Sequence, residues 1–214
     1  MVSSSIAVAA ISAALSAALI IPSYQVEPGD YHATDSVGIA LQNPDYPAGC
    51  EPISLTLLLN SYSYDIGMPD IMEYFDITTN DFVNGFWGSI YSEGAAYPGA
   101  VVTAANRYLE EQNSKLRARA ISGYSWDVVK ELVTDGKPLM MWCTTDYQPP
   151  IFTDWHIGSM YMYGNEHCVV VYGIENDIVY ISDPLRGHIE VPEKDFSELW
   201  KLCGSMAIML EIKE

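Results

Sequence analysis

Pro47-Ala48-Gly49-Cys50-Glu51-Pro52-Ile53-Ser54-Leu55-Thr56-Leu57-Leu58-Leu59-Asn60-Ser61-Tyr62 sets a cysteine at the point where a turn becomes a helix. Pro, Ala and Gly make the turn. Glu51 and Pro52 suit a first helical turn, the acid because that end of a helix is positive, the proline because no N–H partner is needed there. Ile53, Leu55, Leu57, Leu58, Leu59 and Tyr62 then cover almost every face, so the predicted helix is buried rather than amphipathic. A thiol at its start meets backbone N–H groups and the helix dipole, which favour the thiolate. The same position also suits an inert core thiol, so the decision passes to the rest of the chain.

Two later stretches bear on it. His167 opens the apolar run Cys168-Val169-Val170-Val171-Tyr172-Gly173, and Asp183 closes Tyr180-Ile181-Ser182-Asp183-Pro184. A hairpin turning at Asn176-Asp177 brings the two side by side on neighbouring strands. That arrangement suits an imidazole and the carboxylate that orients it. On the alternating strand Cys168 points away from His167 and reads as a core thiol, and Glu166, His167 and Cys168 diverge too far to form a metal site.

Taken in order, Gln42…Gly49-Cys50-Glu51-Pro52-x-Ser54, Gly136-Lys137-Pro138-Leu139-Met140-Met141-Trp142, Glu166-His167-Cys168-Val169-Val170-Val171-Tyr172-Gly173 and Ser182-Asp183-Pro184 resemble the peptidase C39-like family from about Leu41 to the C-terminus. These are bacterial, papain-type cysteine peptidases related to the bacteriocin-leader-processing domains. The resemblance implies Cys50 as nucleophile, His167 as general base and acid, Asp183 as the residue orienting His167, and Gln42 as an oxyanion donor. It implies a peptide or protein substrate and neither cofactor nor metal. The family often has glycine directly after the cysteine, where this chain has Glu51. A carboxylate there opposes thiolate formation, so Glu51→Gly is expected to leave activity intact or raise it. Two other outcomes stay open: acyl transfer to an amine by the same site, and a non-catalytic surface binding module.

Around these motifs the fold class reads as α+β, a helical lobe carrying Cys50 packed on an antiparallel sheet carrying His167 and Asp183. Further helices are predicted at 71–75, 100–111, 125–135 (Ser125 as N-cap) and 194–202. Strands are predicted at 138–144, 167–174, 178–182, 188–191 and 206–212. Residues 78–98, rich in Gly, Asn and aromatics, read as a long surface excursion. His156 reads as a loop residue beside an exposed Trp155. Arg107, Lys115, Arg117 and Arg119 read as a solvated helix face and its following strand.

The 214 residues suit one catalytic domain, and 49% hydrophobic against 18% charged residues excludes a disordered chain. The net charge of −18, with no Lys or Arg before Arg107, argues against nucleic-acid binding. Cys50, Cys143, Cys168 and Cys203 include no C-x-x-C pair, and a disulfide framework is not expected. Residues 1–21 include an uncharged Ala-rich run that suits a signal peptide or an N-terminal membrane anchor. Residues 22–35 read as a polar linker and 36–214 as the peptidase-like domain, which puts the protein at the cell surface or in the medium.

Overall fold

A computed structural model of the chain describes residues 37–213. The apolar run at 1–21 and the linker at 22–35 lie outside the described residues. No helix among the described residues is long and apolar enough to cross a membrane.

Helix α1 (Cys50–Asn60) starts at the cysteine, and every residue through Leu59 is buried. A 3-10 turn (Asp70–Tyr74) follows, then short strands β1 (Ile77–Thr78), β2 (Phe86–Gly88) and β3 (Gly94–Ala95). Helix α2 (Pro98–Glu111) has Pro at its first turn and buries Val101, Ala104, Ala105, Tyr108 and Leu109. Strand β4 (Leu116–Ala120) leads to α3 (Trp126–Thr134), whose Ser125 hydroxyl caps the Val128 N–H at 3.4 Å. Next come β5 (Leu139–Thr144), the hairpin β6 (Phe152–Ile157) and β7 (Met160–Tyr163), β8 (Glu166–Glu175), β9 (Ile178–Asp183) and β10 (Gly187–Pro192). Helix α4 (Glu193–Leu202) and β11 (Ala207–Ile212) complete the described chain.

The main sheet is antiparallel throughout, in the order β10-β9-β8-β5-β11-β4, and α1 lies against β8 and β5. The fold is therefore the expected α+β. Asn176 and Asp177 turn the β8–β9 hairpin in left-handed backbone, which these residue types tolerate best after glycine. Val170 pairs with Ser182 and Val171 with Ile181. Continued, this register sets Asp183 beside Val169, two residues from His167 and on the same face of β8.

Two expectations are corrected. Residues 78–98 are not a surface excursion: Phe82, Phe86, Ile90, Ala95 and Ala96 are buried, and β1–β3 form a small sheet. The Trp142 indole, from the main sheet, donates to the Ala96 carbonyl at 3.2 Å and ties the two together. His156 lies not in a loop but in β6, exposed, its ring 4.9 Å from that of Tyr161. The basic cluster is a solvated surface, with Arg107 on Asp76 and both Arg117 and Arg119 on Glu211. The four cysteines are free and buried.

Candidate active site

Cys50 is the first residue of α1, held there by a tight turn in which Gly49 N–H bonds the Tyr46 carbonyl at 2.9 Å. A Cβ on Gly49 would come within 3.0 Å of Tyr46, so the turn has no room for a larger residue. Gln42 is fixed by its backbone N–H on the Pro184 carbonyl (2.8 Å) and by its side-chain amide on the Pro47 carbonyl (2.6 Å). One residue thus bridges the segment after Asp183, through its backbone, to the turn before Cys50, through its side chain.

His167, 1% exposed, meets Asp183 on β9 through Nε2···Oδ1 at 2.7 Å. Its Nδ1 is left for another partner. Burial alone would push the Asp183 carboxyl up. The bond and charge of His167, then the Leu185 N–H and the Tyr147 hydroxyl, outweigh it and bring the group down to about 2. The carboxylate is therefore ionised across the neutral range.

Gln42, Cys50 and His167 line one cleft of about 520 Å³. One wall is Trp87, from the segment read from sequence as surface, and Trp155 from β6, which meet edge to face with centroids 4.8 Å apart. Glu93, Gly94 and Ala95 continue that wall. Cys50 is the one cysteine on this cleft, and Cys143, Cys168 and Cys203 are 0–2% exposed. The structure thus brings all four sequence-derived site residues to one region.

The thiol's surroundings were only partly visible in the sequence. Cys50 Sγ donates to Glu51 Oε2 at 3.2 Å and lies 4.0 Å from Glu166 Oε2. Burial, then the charges of Glu51 and Glu166, push the thiol well above its ordinary value. The helix start favours a thiolate by about 0.3–1 kcal/mol, up to ~2 in partly buried sites, and desolvation with two carboxyls wins over it. At rest Cys50 is a protonated thiol, contrary to the expectation from helix position alone.

Glu51 is fully buried, accepts the Ala96 N–H on Oε1, and is pushed up to about 7 by burial. Glu166 is also raised well above its ordinary value, by burial and then by the charge of Glu51. Two carboxyls this close do not both ionise readily. Among the described residues, the donors close enough to hold a metal ion are Cys50, Glu51 and Glu166, within 4.8 Å of one another.

Besides Glu166, the sequence reading missed Trp87, Trp155, Tyr147 and Arg186. Trp87 and Trp155 carried a weak signal as aromatics in a low-charge stretch. Tyr147 and Arg186 carried none, because a turn and a strand end bring them together over 39 residues.

Comparison with known proteins bears on the family and the fold. The profile of the Peptidase_C39 like family matches residues 34–208. The uncharacterised protein YvpB of Bacillus subtilis (strain 168) is 24% identical over 177 residues, covering 76% of this chain and 69% of that protein. A crystal structure from Bacillus anthracis, described provisionally as a C39-like peptidase, superposes with a TM-score of 0.74 at 25% identity over 86% of this chain and 99% of that one. A double glycine motif protease from an AMS/PCAT transporter, solved with its leader peptide, shares the fold at a TM-score of 0.52 and 16% identity, over 88% of this chain and 100% of that one. The fold is papain-like, and family and fold together support a peptidase-type function. By the extent of the profile match and the architecture around Cys50, the chain belongs to the peptidase C39-like family.

Proposed function

We propose that the protein is a cysteine peptidase or amidohydrolase working through Cys50, His167 and Asp183. The observation that carries this reading is the buried His167–Asp183 pair. Asp183 occupies Nε2 and leaves Nδ1 as the imidazole's free nitrogen, while His167 and Cys50 line the same cleft. Because the thiol rests protonated, the proton moves when substrate enters: His167 takes it as Sγ attacks the carbonyl carbon. The carbonyl oxygen becomes an oxyanion, held by the Cys50 backbone N–H and the Gln42 side-chain amide, whose second N–H is not used by Pro47. Collapse to the thioester expels the amine, to which His167 returns the proton. Water, deprotonated by His167, then releases the acid and regenerates the thiol. The tryptophan-lined cleft suits a peptide, and the apolar run at residues 2–21 supports an extracytoplasmic site of action.

Incubation of the full chain with a mixed peptide library, with products read by mass spectrometry, tests the reading. Cys50→Ala is expected to abolish cleavage, and His167→Ala to be nearly as severe. Asp183→Asn is expected to slow it by anything up to about 10⁴-fold. Gln42→Ala is expected to cost about 10²–10³ in kcat with KM little changed. A Cys50→Ala protein that still cleaves would end this assignment.

A further inference from the structure

The Asp183 carboxylate is held more firmly than one imidazole bond requires. Oδ1 accepts from His167 Nε2 and from the Leu185 N–H, each at 2.7 Å. Oδ2 accepts from the Tyr147 hydroxyl at 2.9 Å and from Arg186 Nη1 at 3.2 Å. Four donors therefore fix both oxygens and the plane of the group. A carboxylate held by a single bond can swing about its terminal torsion, which has a broad minimum.

The outer two donors brace each other. Arg186 Nη1 also donates to the Thr145 carbonyl at 2.6 Å, Nη2 reaches Asp146 at 3.1 Å, and the guanidinium lies over the Tyr147 ring, 5.5 Å from its centre. Tyr147 adopts φ 55°, a left-handed backbone unfavourable for a bulky side chain. Such strain persists where surrounding contacts over-determine it, commonly beside functional groups. Its N–H closes a turn on the Thr144 carbonyl, at the end of the strand in which Cys143 pairs with His167. Thr145, tied to Arg186, lines the cleft. The 144–147 turn thus links the carboxylate, the imidazole's neighbouring strand and the substrate wall.

We propose that Tyr147 and Arg186 are positioning residues: through Oδ2 they lock Asp183 so that Oδ1 holds the His167 ring with Nδ1 turned toward the thiol. This rests on the Cys50–His167–Asp183 reading above. Neither residue lines the cleft, so their effect passes through His167.

The test uses the full chain and needs no natural substrate. Iodoacetamide is the probe, and alkylation of Cys50 is mapped by mass against pH in the parent and in His167→Ala, whose difference is the His167-dependent component. Histidine-labelled protein is followed by ¹⁵N NMR, since only four His are present and the His167 Nε2–H is bonded to Asp183. Tyr147→Phe keeps the ring and removes one bond to a charged acceptor, so the His167-dependent rate is expected to fall about tenfold. The His167 Nε2–H signal should shift or broaden while the circular dichroism spectrum is unchanged. Arg186→Gln should act in the same direction, and Arg186→Lys should recover part of the loss because an ammonium still reaches Oδ2. If Arg186→Gln unfolds, Tyr147→Phe and Arg186→Lys decide the matter. An unchanged rate component and an unchanged His167 signal in folded Tyr147→Phe and Arg186→Lys would overturn the proposal and leave the triad standing. A parent without any His167-dependent component would instead remove the triad, and this inference with it.

Discussion

Glu51 sits where a charge is least favoured, fully buried and directly beside the thiol. Seen as a sequence neighbour of Cys50 it is an intruder that glycine could replace. The geometry changes that expectation. Its Oε1 is the acceptor for the buried Ala96 N–H, and burial holds the carboxyl raised to about 7. Glycine would leave that N–H unpaired and the space empty, so Glu51→Gly is expected to lower stability by about 1–3 kcal/mol from the lost acceptor alone. Thermal unfolding measures this. Glutamine keeps an oxygen for Ala96 and removes the negative charge 3.2 Å from Sγ. Glu51→Gln is therefore expected to fold normally and to speed iodoacetamide labelling of Cys50 near neutral pH. Slower labelling in a folded Glu51→Gln protein would show that Glu51 helps to deprotonate the thiol rather than hindering it.

At the scale of elements, the cleft depends on a hairpin that local pattern did not reveal. Between β2 and β3, Gly88 has φ 83°, and a Cβ there would lie 2.1 Å from the Glu93 carbonyl oxygen. Gly88→Ala must open this hairpin and displace Trp87 and Glu93 from the wall. A loss of several kcal/mol, about that of left-handed strain plus overpacking, and altered tryptophan fluorescence are expected. Gly67→Ala, with open space around its position, should be close to silent, and equal melting temperatures for the two variants would refute the argument. The same hairpin shows what was legible and what was not. Helices α1, α2, α3 and α4 and strands β5, β8, β9, β10 and β11 could be read because apolar spacing, a cap, or a Gly, Pro or Asn-Asp boundary marks each locally. His167 and Asp183 could be paired because one short turn relates them. Strands of two or three residues such as β1–β3 carry no periodicity, and they are placed by distant parts of the chain, with Trp142 on the Ala96 carbonyl and Trp155 on the Trp87 ring. The Asp183 clamp was invisible for the same reason: Tyr147 and Arg186 meet only through tertiary structure.

Across the whole molecule, two sets of carboxyls around the site make stability respond to pH in opposite directions. Asp183 is lowered to about 2 from an ordinary 3.8, so the stability it contributes is present above its unfolded value and is lost as pH falls through the folded one. Glu51 is raised from 4.5 to about 7, and Glu166 is raised as well. Their contribution is complete below the unfolded value and is lost as pH rises through the folded one. The net charge of −18 adds self-repulsion that also grows as carboxyls ionise. The stability maximum is therefore expected at mildly acid pH, near the ordinary carboxyl values of 3.8 and 4.5, with a decline toward about 7. Thermal midpoints measured between about pH 3 and pH 9 at fixed ionic strength check this. The Glu51→Gln, Glu166→Gln double variant should flatten the decline between 4.5 and about 7 while keeping the acid limb governed by Asp183. A parent whose midpoint rises steadily from mildly acid to neutral pH would mean that the two glutamates are not raised in the folded protein.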